Sequence, residues 1–233
     1  MLIFVFDTET TGLPKTKFIN PDKLNEWPYI VQLSYIIYDT SINEIILIQD
    51  HIIKMENNVN ICEESSKIHG ITNEISKIKG KLMKDVMEEF FYYIRNCDLI
   101  VGHNVSFDIN MLKVELLRLR MIQLDMSYSD EYIKNVKLNL CYLNTIKNIY
   151  CTLQESIELC NIQAISKTGK PYLKFPKLIE LHKKLFETNP NNLHNSLNDI
   201  VVTLRCFIKM KYNIDLNNNC ITFDNLVDAL QLL

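Results

Sequence analysis

Residues 1–14 read MLIFVFDTETTGLP, and the order of apolar and acidic residues in this stretch decides the fold prediction. The apolar run at residues 2–6 predicts a fully buried strand. Side chains alternate along a strand, so Asp7 and Glu9 point to one face and Thr8 to the other. Two adjacent carboxylates raise each other's pKa, and a hard divalent cation with oxygen ligands would compensate their charge. A solvated acidic turn is the alternative interpretation of Asp-x-Glu alone.

Composition limits the class of protein. The chain has 233 residues, which suits one generous domain with a real core. Its net charge of −3 argues against a basic nucleic-acid coat protein. Seven cysteines without a CxxC pair indicate reduced thiols. No apolar run reaches the ~18 residues of a membrane span, and residues 1–14 do not resemble a secretory signal. We therefore expect an intracellular protein, cytoplasmic or nuclear, that is neither secreted nor bound to a membrane.

The remaining pattern predicts strands first, then helices alternating with further strands. Further strands are expected at residues 29–39, 44–54 and 98–104, the first two joined as an antiparallel hairpin. Helices are expected at residues 84–96, 107–121, 152–162, 177–187, 197–212 and 223–233. Residues 163–176 read as a basic loop. This order predicts a mixed sheet flanked by helices in a single domain.

Two further segments contain acids that could join Asp7 and Glu9. In GHNVSFD, residues 102–108, a strand ends and Asp108 falls in the first turn of a helix. In HNSLND, residues 194–199, His194 precedes Asp199, which lies beside an apolar helical run and needs a partner. Taken singly, Asp108 could merely complement a helix dipole, and a lone histidine is more often structural than catalytic.

In order and separation, FDTETTGL, GHNVSFD and HNSLND resemble the three motifs of the DEDDh 3′→5′ exonuclease family, such as proofreading epsilon-type subunits. The segments IHGIT, YCTL and FPKLIELHKKLF are similar to further parts of that family. The resemblance implies an RNase H-like mixed five-stranded sheet flanked by helices. It covers residues 1–233 as one exonuclease domain, with longer segments near 14–27 and 122–148 whose role the family pattern does not explain.

The resemblance also implies a set of site residues. Two divalent cations, Mg²⁺ or Mn²⁺, would be held by four acids, which are Asp7, Glu9, Asp108 and Asp199. His194 would be the general base that takes a proton from the attacking water. The tyrosine subgroup of the family would carry a tyrosine where this chain has Asn195. Substrate contacts are expected at Thr8, Thr10, Leu13 and Asn104, although Leu13 could instead pack in the core and Asn104 could instead cap a helix.

The function implied is release of 5′-mononucleotides from DNA 3′ ends, on single-stranded or frayed nucleic acid, in proofreading or repair, with a DNA polymerase as an expected partner. One alternative is a 3′→5′ exoribonuclease similar to oligoribonuclease, because the motifs do not separate DNA from RNA. Another is a non-catalytic nucleic-acid-binding module of the same fold. A basic stretch could follow a phosphate backbone or be a solvated face, and it contains Lys167, Lys170, Lys174 and Lys177.

Overall fold

The computed structural model describes residues 1–56, 58–125 and 129–233. Its main sheet contains β1 (Leu2–Thr10), β2 (Ile30–Asp39), β3 (Glu44–Ile52), β4 (Leu99–Gly102) and β5 (Ile149–Cys151). The strand order is β3-β2-β1-β4-β5. β2 is antiparallel to β1 and β3, whereas β4 is parallel to β1 and β5. The predicted RNase H-like mixed five-stranded sheet and its hairpin are therefore confirmed.

Helices surround this sheet. They are α1 (Glu63–His69), α2 (Asn73–Lys79), α3 (Met83–Ile94), α4 (Val105–Asp125), α5 (Asp130–Thr145), α6 (Thr152–Glu155), α7 (Ile157–Cys160), α8 (Leu178–Phe186), α9 (Ser196–Tyr212) and α10 (Ile221–Leu230). The segment near 14–27 contains a 3₁₀ helix, Pro21–Glu26. Of the segment near 122–148, residues 126–128 lie outside the described residues, and α5 forms most of the rest. In the described part of the chain, no helix combines the length and apolar character of a membrane span.

Three local predictions were wrong. Residues 163–176 are not only a loop, because β6 (Gln163–Ile165) and β7 (Pro171–Leu173) pair as a hairpin. Its turn uses Gly169, whose φ of 80° suits glycine. The helix predicted at 152–162 is divided into α6 and α7 at Ser156, which leaves the helical conformation. The short helices α1 and α2 were missed, since each has only seven residues and is too short for a clear periodic signal.

The two faces of β1 pack into different cores. Phe4 and Phe6 lie in a core with α3 and α4, whereas Ile3 and Val5 lie in a core with α9 and α10. All four side chains are at most 1% exposed, which explains why the run is apolar on both faces. By the same alternation, Asp7 and Glu9 belong to the α9 side of the sheet and Thr8 to the α4 side.

Gly102 allows α4 to begin close to β1. A Cβ atom at this position would lie 2.9 Å from Cβ of Val105 and 3.3 Å from the carbonyl oxygen of Phe6. The pairing of β4 with β1 ends at Val5, so the chain turns into α4 beside the second half of β1. This close approach places the first turn of α4 next to the acidic end of the strand.

Candidate active site

Three of the four predicted acids converge at the end of β1. One carboxylate oxygen each from Asp7, Glu9 and Asp199 lies within 4.8 Å of the other two. Asp7 and Glu9 come from the α9 side of β1, and Asp199 comes from the first turn of α9. Carboxylate oxygens at this spacing are a donor set that suits a hard cation such as Mg²⁺ or Mn²⁺.

Asp108 lies beside this group but is oriented toward the strand. Its Oδ1 atom accepts hydrogen bonds from the backbone N–H of Thr8, at 3.1 Å, and from the Thr8 hydroxyl, at 2.7 Å. Asp108 is only 2% exposed, and its charge contributes to raising the pKa of Asp7. The structure thus brings all four acids together, with three sharing one cluster and the fourth alongside it.

The electrostatics of the cluster favour protons or cations. Burial raises the pKa of Asp7 well above its usual value, and the charges of Asp108, Asp199 and Glu9 raise it further. Burial, then Asp199 and Asp108, raises the pKa of Glu9 to about 8. Since like charges held together disfavour ionisation, the cluster takes up protons unless a cation replaces them.

The other two acids differ because they accept hydrogen bonds. Burial raises the pKa of Asp108 to about 7, against the hydrogen bonds from Thr8, which lower it. Burial raises the pKa of Asp199 to about 6, against the N–H of His194, which lowers it. The pKa values of all four carboxyl groups are therefore raised in one small volume.

His194 lies at the edge of the cluster, in the segment before α9. Its backbone N–H donates to Oδ1 of Asp199 at 3.2 Å, and its side chain is exposed. Its φ of 72° is left-handed, a conformation that is uncommon for histidine. Asn195 follows as the N-cap of α9 and accepts a hydrogen bond from the N–H of Leu197. This arrangement leaves the imidazole free to contact a ligand beside Asp199.

A polar network that the sequence analysis missed holds the start of α9. Gln32 and Ser34 pair with Glu9 and Asp7 across β1 and β2, so they share one face of the sheet. The side-chain Oε1 atom of Gln32 accepts from the N–H of Ser196 at 3.2 Å, and the hydroxyl groups of Ser34 and Ser196 are hydrogen-bonded. The sequence did contain a signal for this network, because Gln32 and Ser34 interrupt an apolar strand at positions i and i+2, which lie on the same face.

Asp50 connects this network to the end of β3. Its Oδ1 atom accepts from the Gln32 amide at 2.8 Å and from the Ser34 hydroxyl at 2.7 Å. Gln32 and Ser34 are 2% and 0% exposed, so their polar atoms need these partners. The network therefore fixes α9, and with it Asp199, against the strand that carries Asp7 and Glu9.

The predicted substrate residues are in different situations. The Thr8 hydroxyl donates to Asp108, and the Thr10 hydroxyl donates to the carbonyl oxygen of Gly12 at 2.6 Å. Leu13 is 82% exposed and is therefore not a core residue. Asn104 precedes α4 with a φ of 70°; its carbonyl oxygen accepts from the N–H of Phe107 at 2.8 Å. Substrate contact by these four residues stays a prediction.

A family model described as exonuclease, of the RNase T type, matches residues 4–207. The chain belongs to this exonuclease family. The resemblance to DEDD-type 3′→5′ exonucleases inferred from the motifs is confirmed at the level of the family.

One relative of this chain is a subunit of a DNA polymerase. DNA polymerase III subunit epsilon of Buchnera aphidicola is 33% identical over 136 residues, which is 58% of this chain and 54% of that protein. The chain thus spans about half the length of the curated relative that it matches.

Solved structures share the fold at low identity. Exonuclease I from Methylocaldum szegediense has a TM-score of 0.56 and 17% identity, over 93% of this chain and 42% of the other. E. coli Exonuclease I in complex with a dT13 oligonucleotide has a TM-score of 0.57 and 16% identity, over 91% and 42% of the two chains. At such identities these likenesses concern the fold alone.

Proposed function

We propose that this protein is a metal-dependent 3′→5′ exonuclease that releases 5′-mononucleotides from DNA 3′ ends. The observation that carries the proposal is the convergence of the Asp7, Glu9 and Asp199 carboxylates within 4.8 Å, with Asp108 beside them. A half-buried group of like charges is unfavourable for folding alone, so it indicates a site built for cations. The family to which the chain belongs supports the type of reaction.

In this proposal the four acids hold two divalent cations, Mg²⁺ or Mn²⁺. When bound, such cations activate water and stabilise the charge that develops on the attacking and leaving oxygens of a phosphodiester. Thr8 orients Asp108 through two hydrogen bonds, and the Gln32–Ser34 network orients Asp199 through α9. The chain itself thus determines where the cations and the scissile phosphate lie.

His194 is the proposed general base. Its imidazole is exposed next to Asp199, where it can reach a water molecule at the cluster. Imidazole is the side chain that most often transfers protons in enzymes, which suits a group that takes a proton and returns it to solvent. The hydrogen bond from its own backbone to Asp199 keeps the base at the edge of the metal site.

The terminal nucleotide is proposed to bind at the turn after β1. The exposed Leu13 side chain offers an apolar surface to a base, a contact that tolerates any sequence. Thr8 would act on the substrate through Asp108, because its backbone N–H and its hydroxyl both donate to that carboxylate. Thr10 would shape the turn, because its hydroxyl donates to the carbonyl oxygen of Gly12. Asn104, at the start of α4, is exposed and close enough in the chain to Asp108 to contact the same nucleotide.

The likeness to an epsilon subunit supports DNA as the substrate, and proofreading beside a DNA polymerase as the setting. We propose that residues 1–233 act as one exonuclease domain inside the cell, where the seven cysteines, all free in the structure, remain reduced. An exoribonuclease remains the competing proposal, and the experiment below compares the two substrates directly.

The test is degradation of DNA and RNA strands of equal sequence, labelled at the 5′ or the 3′ end, with Mg²⁺, Mn²⁺ or chelator. We expect metal-dependent shortening from the 3′ end, faster on DNA, with mononucleotide products. Asp199→Asn is the matched inactive control, because its Oδ1 atom can still accept the His194 N–H. Activity that persists after prolonged chelation, or in Asp199→Asn, would refute the proposal, and faster loss of RNA would favour the exoribonuclease.

A further inference from the structure

A groove of about 500 Å³ lies on the outer side of α4, between this helix, α5 and the segment that follows the active-site turn. The segment contributes Lys17 and Phe18, and α4 contributes Asn110, Lys113 and Arg120. Asn144 of α5 lies on the opposite wall. The groove thus uses the longer segments whose role the family pattern left unexplained.

The charge of this groove is positive. Lys17, Lys113 and Arg120 line it, and the described lining contains no carboxylate. Within residues 1–56, 58–121 and 129–233, whose side chains the structure describes, none of these three cations forms an ion pair, whereas Lys174 of the basic hairpin is paired with Glu180 at 2.6 Å. Lys113 is half-buried, and burial lowers the pKa of its ammonium group. A partly desolvated cation gains from an anionic partner, and the described lining of the groove supplies none.

The cations form a line. Asn110, Lys113 and Arg120 are spaced at i, i+3 and i+10, so they share one face of α4. The two helix cations, Lys113 and Arg120, are seven residues apart, which is about 10 Å along the helix and longer than a single small anion requires. The Phe18 ring at the edge of the groove is 77% exposed and has the Lys17 ammonium 5.7 Å from its centre. A line of cations with an exposed aromatic ring is the combination that binds single-stranded nucleic acid.

The groove is connected to the acidic cluster by the chain itself. Leu13, at the active-site turn, and Phe18, in the groove, are five residues apart, so at most about 18 Å separates them. Asn110 is two residues after Asp108 but faces about 160° away from it on the helix. A strand with its 3′ end at Asp108 would therefore cross the exposed N-terminal turn of α4 before it enters the groove.

We propose that this groove binds the single strand upstream of the 3′ end, with backbone phosphates along Lys113 and Arg120 and a base on Phe18. The inference rests on the proposed function for the position of the 3′ end. An acidic polypeptide would match the charge, but the exposed Phe18 ring favours a ligand with flat aromatic bases.

Binding is measured by fluorescence anisotropy of a labelled deoxyoligonucleotide of about 20 nucleotides, in chelator, over a salt series. The groove variant is Lys113→Gln with Arg120→Gln, and Phe18→Ala is tested separately because its exposed side chain is not needed for folding. The matched control is Lys77→Gln with Lys79→Gln, which removes the same charge from the exposed face of α2.

We expect the groove variant to bind at least about tenfold more weakly at low salt, with a log–log salt slope smaller by about 1.4, because two phosphate contacts are lost. Phe18→Ala should bind at least about fivefold more weakly with an unchanged slope. A dinucleotide is too short to reach the groove. Its hydrolysis with Mn²⁺ should therefore proceed at the same rate in the groove variant and in the parent.

Three results would overturn the inference. The groove variant could bind the labelled strand as tightly as the parent, or the control variant could lose as much affinity as the groove variant. Polyglutamate could also displace the strand better than unlabelled DNA does. Failure of the proposed function is distinguishable, because the parent would then not hydrolyse the dinucleotide, whereas the anisotropy measurement needs no hydrolysis.

Discussion

Replacing Asp108 by asparagine is expected to stabilise the metal-free protein near pH 8. Asn keeps an Oδ1 acceptor for both hydrogen bonds from Thr8 and removes a charge that is 2% exposed. Burial raises the pKa of Asp108 from its usual 3.8 to about 7. At about 1.4 kcal/mol per pKa unit, the ionised side chain lowers the free energy of unfolding by about 4 kcal/mol relative to the neutral one.

The pH dependence has a defined sign. Because the pKa is higher in the folded than in the unfolded state, the stability linked to Asp108 is fully present below about pH 4 and is lost as the pH rises through about 7. The difference between Asp108→Asn and the parent should therefore be near zero at about pH 4 and reach its maximum at about pH 8. For a chain of this size, about 4 kcal/mol corresponds to a melting-temperature difference of about 8–16 °C.

The assay is a set of melting curves from pH 4 to 8, with chelator or Mn²⁺. Mn²⁺ should stabilise the parent by about 2.7 kcal/mol at a hundredfold excess over its Kd, and should stabilise Asp108→Asn less, since one ligand charge is missing. Asp228→Asn, at an exposed position of α10, is the control for removal of an acid. If Asp108→Asn is less stable than the parent at pH 8 without metal, and Mn²⁺ does not shift the parent, these acids do not form a cation site.

Three further changes test the residues around the cluster. His194→Asn is chosen because asparagine tolerates a φ of 72°. It should lower turnover by about 10²–10⁴-fold, and Mn²⁺ should still raise the melting temperature. Near-normal turnover would refute the role of His194 as general base. Leu13→Ala should weaken binding of a 3′ end by about 1–3 kcal/mol. The melting temperature should not change, because the side chain is 82% exposed. Normal binding would show that Leu13 does not contact the substrate. Thr8→Val should lower the free energy of unfolding by about 1–3 kcal/mol at pH 8 and by less at pH 5, where Asp108 is protonated; an equal loss in urea unfolding at both pH values would contradict the proposed hydrogen bond.

Local patterns were sufficient for the architecture. The apolar run before Asp7 predicted a central strand, and the structure buries Phe4 and Val5 on opposite faces. The order of the three acidic motifs predicted the family, which the comparisons confirmed. Shorter elements escaped prediction: α1, α2 and the β6–β7 hairpin contain too few residues for a clear periodic signal, and their formation depends on neighbouring packing and turn geometry.

The sequence by itself determined which residue types were available for the chemistry and, through strand alternation, that Asp7 and Glu9 share a face. Only the tertiary structure decided that Thr8 donates to Asp108, 100 positions away, and that Gln32 accepts from the N–H of Ser196, 164 positions away. Alternation and helical periodicity relate residues a few positions apart, because they follow from backbone geometry. Contacts over such separations depend on how the sheet and helices pack together, which no local pattern contains.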